Sequence, residues 1–174
     1  MIDYKRFQFA AAPMTAVDWF IRASQLAGLG PGFSYTAHTP FSSTKSQSIR
    51  VTLVRNPCDW LRRCFLSLQQ GPITCNHVGV LSQLNTESFD AFVHDYTSRC
   101  PGAVGRMFLQ YKADSCIRVE DLPAAFNELM ATVGCPFTRY RSLAFHRVPM
   151  PVNSRLRSII LNAENEMAEY YDYW

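Results

Sequence analysis

Ile49–Val54, IRVTLV, runs directly into Arg55-Asn56-Pro57-Cys58-Asp59, and this stretch decides the architecture. Ile49, Val51, Thr52 and Val54 are β-branched, which suits a pleated and largely buried strand. Asn-Pro then stops the strand, and a proline is well placed in the first turn of a helix, where its missing N–H costs nothing. The spacing therefore predicts a strand at 49–54 followed without delay by a helix at 58–70.

Outward from that junction the alternation repeats. Residues 5–12, KRFQFAAA, read as a first strand stopped by Pro13. A helix follows from Thr15, opened by a Thr15-x-x-Asp18 capping box, with Trp19, Phe20, Ala23 and Leu26 at helical spacing and Gly28, Gly30 and Pro31 beyond its end. Residues 33–37 suit a short strand, and 42–48 an exposed polar connection. Residues 71–84 carry no clear period. Further on, 86–98 reads as a helix with Phe89, Phe92, Val93 and Tyr96 on one side. A strand at 115–119, a helix at 122–133 and a last helix at 155–171, capped by Asn153 or Ser154, complete the pattern. Strand-helix alternation with short turns implies an α/β fold, a central parallel sheet flanked by helices, as one domain over residues 1–174.

Composition narrows the function classes. Hydrophobic residues make up 48% of the 174 residues and charged residues 18%, a globular balance. Seventeen Lys and Arg against fourteen Asp and Glu leave +3 with no dense basic run, so nucleic acid is not the expected partner. No run of 18 apolar residues argues for a membrane span, and the apolar run near the N-terminus is too brief for a secretory signal. The expected setting is cytoplasmic. Six cysteines without repeated spacing read as free thiols, and Cys75-x-His77 has no second pair to complete a metal site, so no metal is expected. Tyr170, Tyr171, Tyr173 and Trp174 form an aromatic end that either self-associates into a homo-oligomer or, for Tyr170 and Tyr173, packs into the core.

Ligands of parallel sheets sit at the carboxyl ends of the strands. Three turns then carry the chemistry: 13–19, 38–41 and 55–59. The first opens a helix, whose N-terminal N–H groups and dipole suit a phosphate or sulfate, although no Walker A motif is present. Arg55 places a planar guanidinium, the best bidentate phosphate partner, directly after a strand, with Arg62 and Arg63 nearby in sequence. Cys58 near a helix start raises a cysteine-phosphatase alternative, but four residues rather than five separate it from Arg63.

In order and approximate spacing over residues 6–136, the chain resembles the sulfotransferases that use 3′-phosphoadenosine 5′-phosphosulfate (PAPS), which have a P-loop NTPase-like fold. Pro13-Met14-Thr15-Ala16-Val17-Asp18-Trp19 stands where that family has P-K-S-G-T-T-W, and Thr36-Ala37-His38-Thr39-Pro40 where it has K-T-H-L-P. Arg55-Asn56-Pro57-Cys58-Asp59 matches R-N-P-x-D, Arg118-Val119-Glu120-Asp121-Leu122 resembles R-Y-E-D-L, and Gly134-Cys135-Pro136 follows the G-x-P habit. The resemblance implies sulfuryl transfer from PAPS as co-substrate to a hydroxyl or amine of a small-molecule or glycan acceptor. Backbone N–H groups from Met14 and Thr15 through Ala16, Val17 and Asp18 to Trp19 would hold the phosphosulfate, with Trp19 beneath the nucleotide. Arg55 would hold the 3′-phosphate with Arg63 beside it, and His38 would be the general base, a task that suits imidazole near neutral pH.

The departures are specific. The family's first-turn Lys is Met14, its Gly is Ala16, its two hydroxyl residues are Val17 and Asp18, and its second Lys is Thr36. Loss of a transition-state cation costs about a hundredfold in rate by analogy with an oxyanion-hole donor. The alternative implied is a catalytically impaired sulfotransferase-like protein that binds a nucleotide or a protein partner.

Overall fold

A computed structural model describes residues 2–4, 7–29, 38–41, 48–71, 80–135 and 151–174. The expected strand at 33–37, the loop at 42–48, Cys75 and His77 lie wholly or almost wholly outside these residues. The chain forms two compact units: Met1–Val54 with Gln110–Val148, and Arg55–Leu109 with Pro149–Trp174.

The first unit is α/β. Its sheet runs in the order β1 (Ile2–Asp3), β2 (Phe7–Phe9), β3 (Ile49–Val54), β4 (Ser115–Arg118). β2, β3 and β4 are parallel, in registers that set Phe9 against Val51 and Leu53 against Ile117, while β1 pairs antiparallel to β2. The expected parallel sheet is thus present as three strands with an antiparallel addition. Side chains alternate across a strand, so Phe7, Phe9, Val51, Leu53 and Ile117 share one face. On it lie α1 (Val17–Leu26) and α5 (Ala124–Thr132), whose Phe20, Ala23, Phe126, Leu129 and Met130 complete a buried core. Phe20 stacks on Phe9 with ring centroids 4.1 Å apart and meets Phe126 edge-on at 5.1 Å. Thr52 and Val54, on the opposite face of β3, are buried as well, as expected for a parallel strand.

The second unit is helical and is built from Arg55–Leu109, between β3 and β4, and from Pro149–Trp174, after α5. It contains α2 (Pro57–Gln70), α3 (Phe89–Arg99), α4 (Ala103–Leu109), α6 (Ser154–Ala163) and α7 (Asn165–Tyr170). Asn56 caps α2 by accepting from the Cys58 N–H at 2.9 Å, with Pro57 inside the first turn as its sequence requires. Ser88 caps α3 and Asn153 caps α6. Phe89, Phe92, Val93 and Tyr96 are all buried, confirming the face expected of this helix. Tyr171 and Tyr173 are buried, but Tyr170 is 50% exposed, so its assignment to the core is corrected.

The last helix is not continuous. It breaks at Glu164, which is 1% exposed, in order to send its carboxylate inward. One oxygen accepts from the Tyr96 hydroxyl, and the other from the Gly105 N–H at 2.5 Å. The Tyr96 oxygen in turn accepts from the Val104 N–H at 3.1 Å. The carboxylate thereby serves the otherwise unsatisfied start of α4. Glycine at position 105 leaves room for this contact, since a Cβ would lie 3.0 Å from the Glu164 carboxylate and 3.2 Å from the Met167 Cβ, close enough that a neighbour would have to give by a few tenths of an ångström. Among the described residues, no helix is long and apolar enough to cross a membrane.

Candidate functional site

The carboxyl ends of β2, β3 and β4 define one edge of the sheet, because these strands are parallel. Residues 10–12 leave β2 at that edge and are fully buried. The chain then turns into α1 through a backbone that side chains rarely adopt. Met14 has φ 62° and Ala16 has φ 58°, both in the left-handed region. For non-glycine residues this conformation costs on the order of 1–2 kcal/mol each. Ala16 is also the N-cap of α1, with no side-chain hydrogen bond at the cap.

The capping box expected from Thr15 and Asp18 does not form. Thr15 is fully buried and donates back to the Ala12 carbonyl at 2.5 Å, so its hydroxyl is committed to the turn instead of the helix N-terminus. The helix accordingly starts at Val17 instead of Thr15, and its first internal bond runs from the Phe20 N–H to the Ala16 carbonyl at 3.1 Å. The N–H groups of Val17 and Asp18 precede that bond, the arrangement in which a helix N-terminus accepts an anion. Asp18 is exposed at this end, where its charge favours the helix and opposes an anion. Trp19 is half-buried and packs edge-to-face on Phe126, with centroids 5.5 Å apart.

His38 comes to the exit of β2 from far along the chain. Its Nδ1 lies 2.9 Å from the carbonyl oxygen of Ala11, the second residue beyond β2. A carbonyl only accepts, so Nδ1 carries the proton, and in the neutral ring Nε2 holds the lone pair. This is the tautomer that a general base acting through Nε2 needs. The backbone carbonyl of His38 accepts from the Tyr111 hydroxyl at 2.6 Å. Sequence reading missed Tyr111, for which no local motif exists. The only available signal was that a tyrosine buried in a core needs a partner for its hydroxyl.

The first unit therefore contains both Met14 to Trp19 and His38, the latter bonded to Ala11 on the segment that leads into that turn. The other two expected residues belong to the second unit. Arg55 is the residue that follows β3 and is partly buried, and Arg63 is exposed on α2, at helical spacing from Asn56 and Asp59. Arg62 is engaged elsewhere, its guanidinium 4.5 Å from the ring centroid of Phe89 and 5.6 Å from that of Phe65. Cys58 disfavours the phosphatase alternative. Burial pushes its thiol up to about 12, against a smaller opposing effect of Arg157, so the thiolate such chemistry requires is suppressed. No protein-family model matches the chain, and comparison with curated proteins and with solved structures returns no match.

Proposed function

We propose that the chain is a PAPS-dependent sulfotransferase of P-loop NTPase-like fold, with the 13–19 turn as its phosphosulfate cradle and His38 as its base. The observation that carries this reading is the left-handed backbone at Ala16, in the turn that follows Ala11, to whose carbonyl the imidazole of His38 is bonded. Ala16 occupies the place where the resembled family has glycine, the residue that adopts such a φ without strain. A strained non-glycine residue held at that point is what a functional turn retains and an ordinary connection relaxes.

The chemistry divides between side chains and backbone. The N–H groups opening α1 offer the phosphosulfate a positive end without any lysine. His38 Nε2 takes the proton of an acceptor hydroxyl or amine as its oxygen or nitrogen attacks sulfur, and the sulfur–oxygen bond to the nucleotide phosphate breaks. Arg55, leaving the end of β3, is assigned to the 3′-phosphate and Arg63 is assigned to assist it. A cytoplasmic setting belongs to the same reading, on the widely spread cysteines of the sequence. The test is transfer of labelled sulfate from PAPS to a panel of small hydroxyl and amine acceptors and glycans.

Met14 and Asp18 favour a second reading, in which the nucleotide binds and transfer is feeble or absent. Nothing at position 14 neutralises the leaving phosphate, and Asp18 adds negative charge beside it. The two readings separate on one substitution. Met14→Lys restores a cation at the turn and is expected to raise the transfer rate up to about a hundredfold. The backbone already tolerates an unbranched side chain at this φ. A Lys variant no faster than wild type in the labelled-sulfate assay counts against a transferring site.

A further inference from the structure

His38 is held at two points, and only one of them is its ring. The Nδ1 bond to Ala11 orients the imidazole, while the hydroxyl of Tyr111 grips the backbone carbonyl of the same residue at 2.6 Å. Tyr111 is 1% exposed and lies just before β4, so its hydroxyl is fixed by the core of the unit. Three remote segments therefore meet: the exit of β2 through Ala11, the 38–41 segment, and the entry to β4 through Tyr111. A ring anchored at one nitrogen alone swings with its backbone. With the carbonyl anchored as well, the distance from Nδ1 to Ala11 is fixed by the sheet.

We propose that Tyr111 is the positioning residue for His38, holding its backbone so that the Ala11 carbonyl keeps the proton on Nδ1 and leaves Nε2 as the proton acceptor. The inference rests on His38 being the base of the proposed reaction, yet its structural content is readable without any substrate. In this role Tyr111 acts through His38, by the bond to its backbone carbonyl.

Tyr111→Phe keeps the buried ring and removes the hydroxyl alone. Nitrogen NMR of the imidazole, at a pH where the ring is neutral, reports which nitrogen is protonated, and the His38 signals are assigned by their loss in His38→Gln. Wild type should show the Nδ1–H form, and Tyr111→Phe a shift towards Nε2–H. In the transfer assay the variant should lose about ten- to a hundredfold in kcat at unchanged KM for PAPS, because the base is displaced while the cradle is intact. Either a wild-type ring protonated on Nε2 or a Tyr111→Phe spectrum identical to wild type overturns the proposal. The wild-type spectrum alone decides the first point if the variant does not fold. Wild type showing Nδ1–H without sulfate transfer would count against the reaction and leave the positioning intact.

Discussion

Glu164→Ala should lower stability by about 3 kcal/mol, seen as a drop of roughly 10 °C in the unfolding midpoint. The substitution strips the acceptor from two buried donors, the Tyr96 hydroxyl and the Gly105 N–H, and leaves a void at the junction of α6 and α7. Each orphaned donor costs about 1–3 kcal/mol, partly offset because the desolvated charge is gone. Glu164→Gln keeps the volume and its one carbonyl oxygen can still accept from Gly105, but the Tyr96 hydroxyl loses its acceptor, so it should recover only part of the loss. The pH dependence has a definite sign. Burial raises the Glu164 pKa above the ordinary 4.5, with hydrogen bonds from Tyr96 and Gly105 only partly opposing it. In that window the folded state binds the proton more tightly than the unfolded chain does. This residue's contribution is therefore largest below the ordinary value, falls as pH rises towards the raised one, and is flat above it. Burial, with the neighbouring Glu164 charge, raises Tyr96 as well, which keeps it a donor throughout. Denaturant titrations of wild type and Glu164→Gln between about pH 4 and pH 8 should show that decline in wild type alone. Parallel curves would refute it.

His38→Ala should slow sulfate transfer about a thousandfold while leaving donor affinity within about twofold, as expected for removal of a general base. The asymmetry follows from geometry: the imidazole bonds the turn through Ala11, whereas the N–H groups that open α1 belong to a helix whose own core contacts are Phe20 and Ala23. A modest loss of stability, about 1 kcal/mol for the hydrogen bond to Ala11, accompanies it. Single-turnover rates with PAPS and an acceptor identified in the panel provide the measurement. A variant that transfers within about twofold of wild type would remove His38 from the mechanism.

The parts of the fold that the sequence made legible are those set by local pattern. The β-branched run at Ile49–Val54 is a strand to the residue, and Asn56-Pro57 opens α2 as its chemistry dictates. Where tertiary demands override local preference, the sequence misleads. Thr15 and Asp18 spell a capping box, but the Thr15 hydroxyl is buried against Ala12. The break at Glu164 has no glycine or proline to announce it, because its cause is a donor fifty-nine positions away on Gly105. Helix α4 was unreadable for the converse reason: Pro101, Gly102 and Gly105 suppress a helical reading, and Gly105 is there to let Glu164 approach. At the candidate site, resemblance pointed to His38 and to the 13–19 turn, while the bond of His38 to Ala11 and the hold of Tyr111 exist only in three dimensions.

The strained turn before α1 is proposed to cradle a phosphosulfate nucleotide. Calorimetric titration with adenosine 3′,5′-bisphosphate tests it most directly, repeated on Arg55→Ala. The account predicts saturable binding well below millimolar, weakened about tenfold or more in the variant by loss of a bidentate phosphate contact. Absence of binding below millimolar in wild type would contradict it.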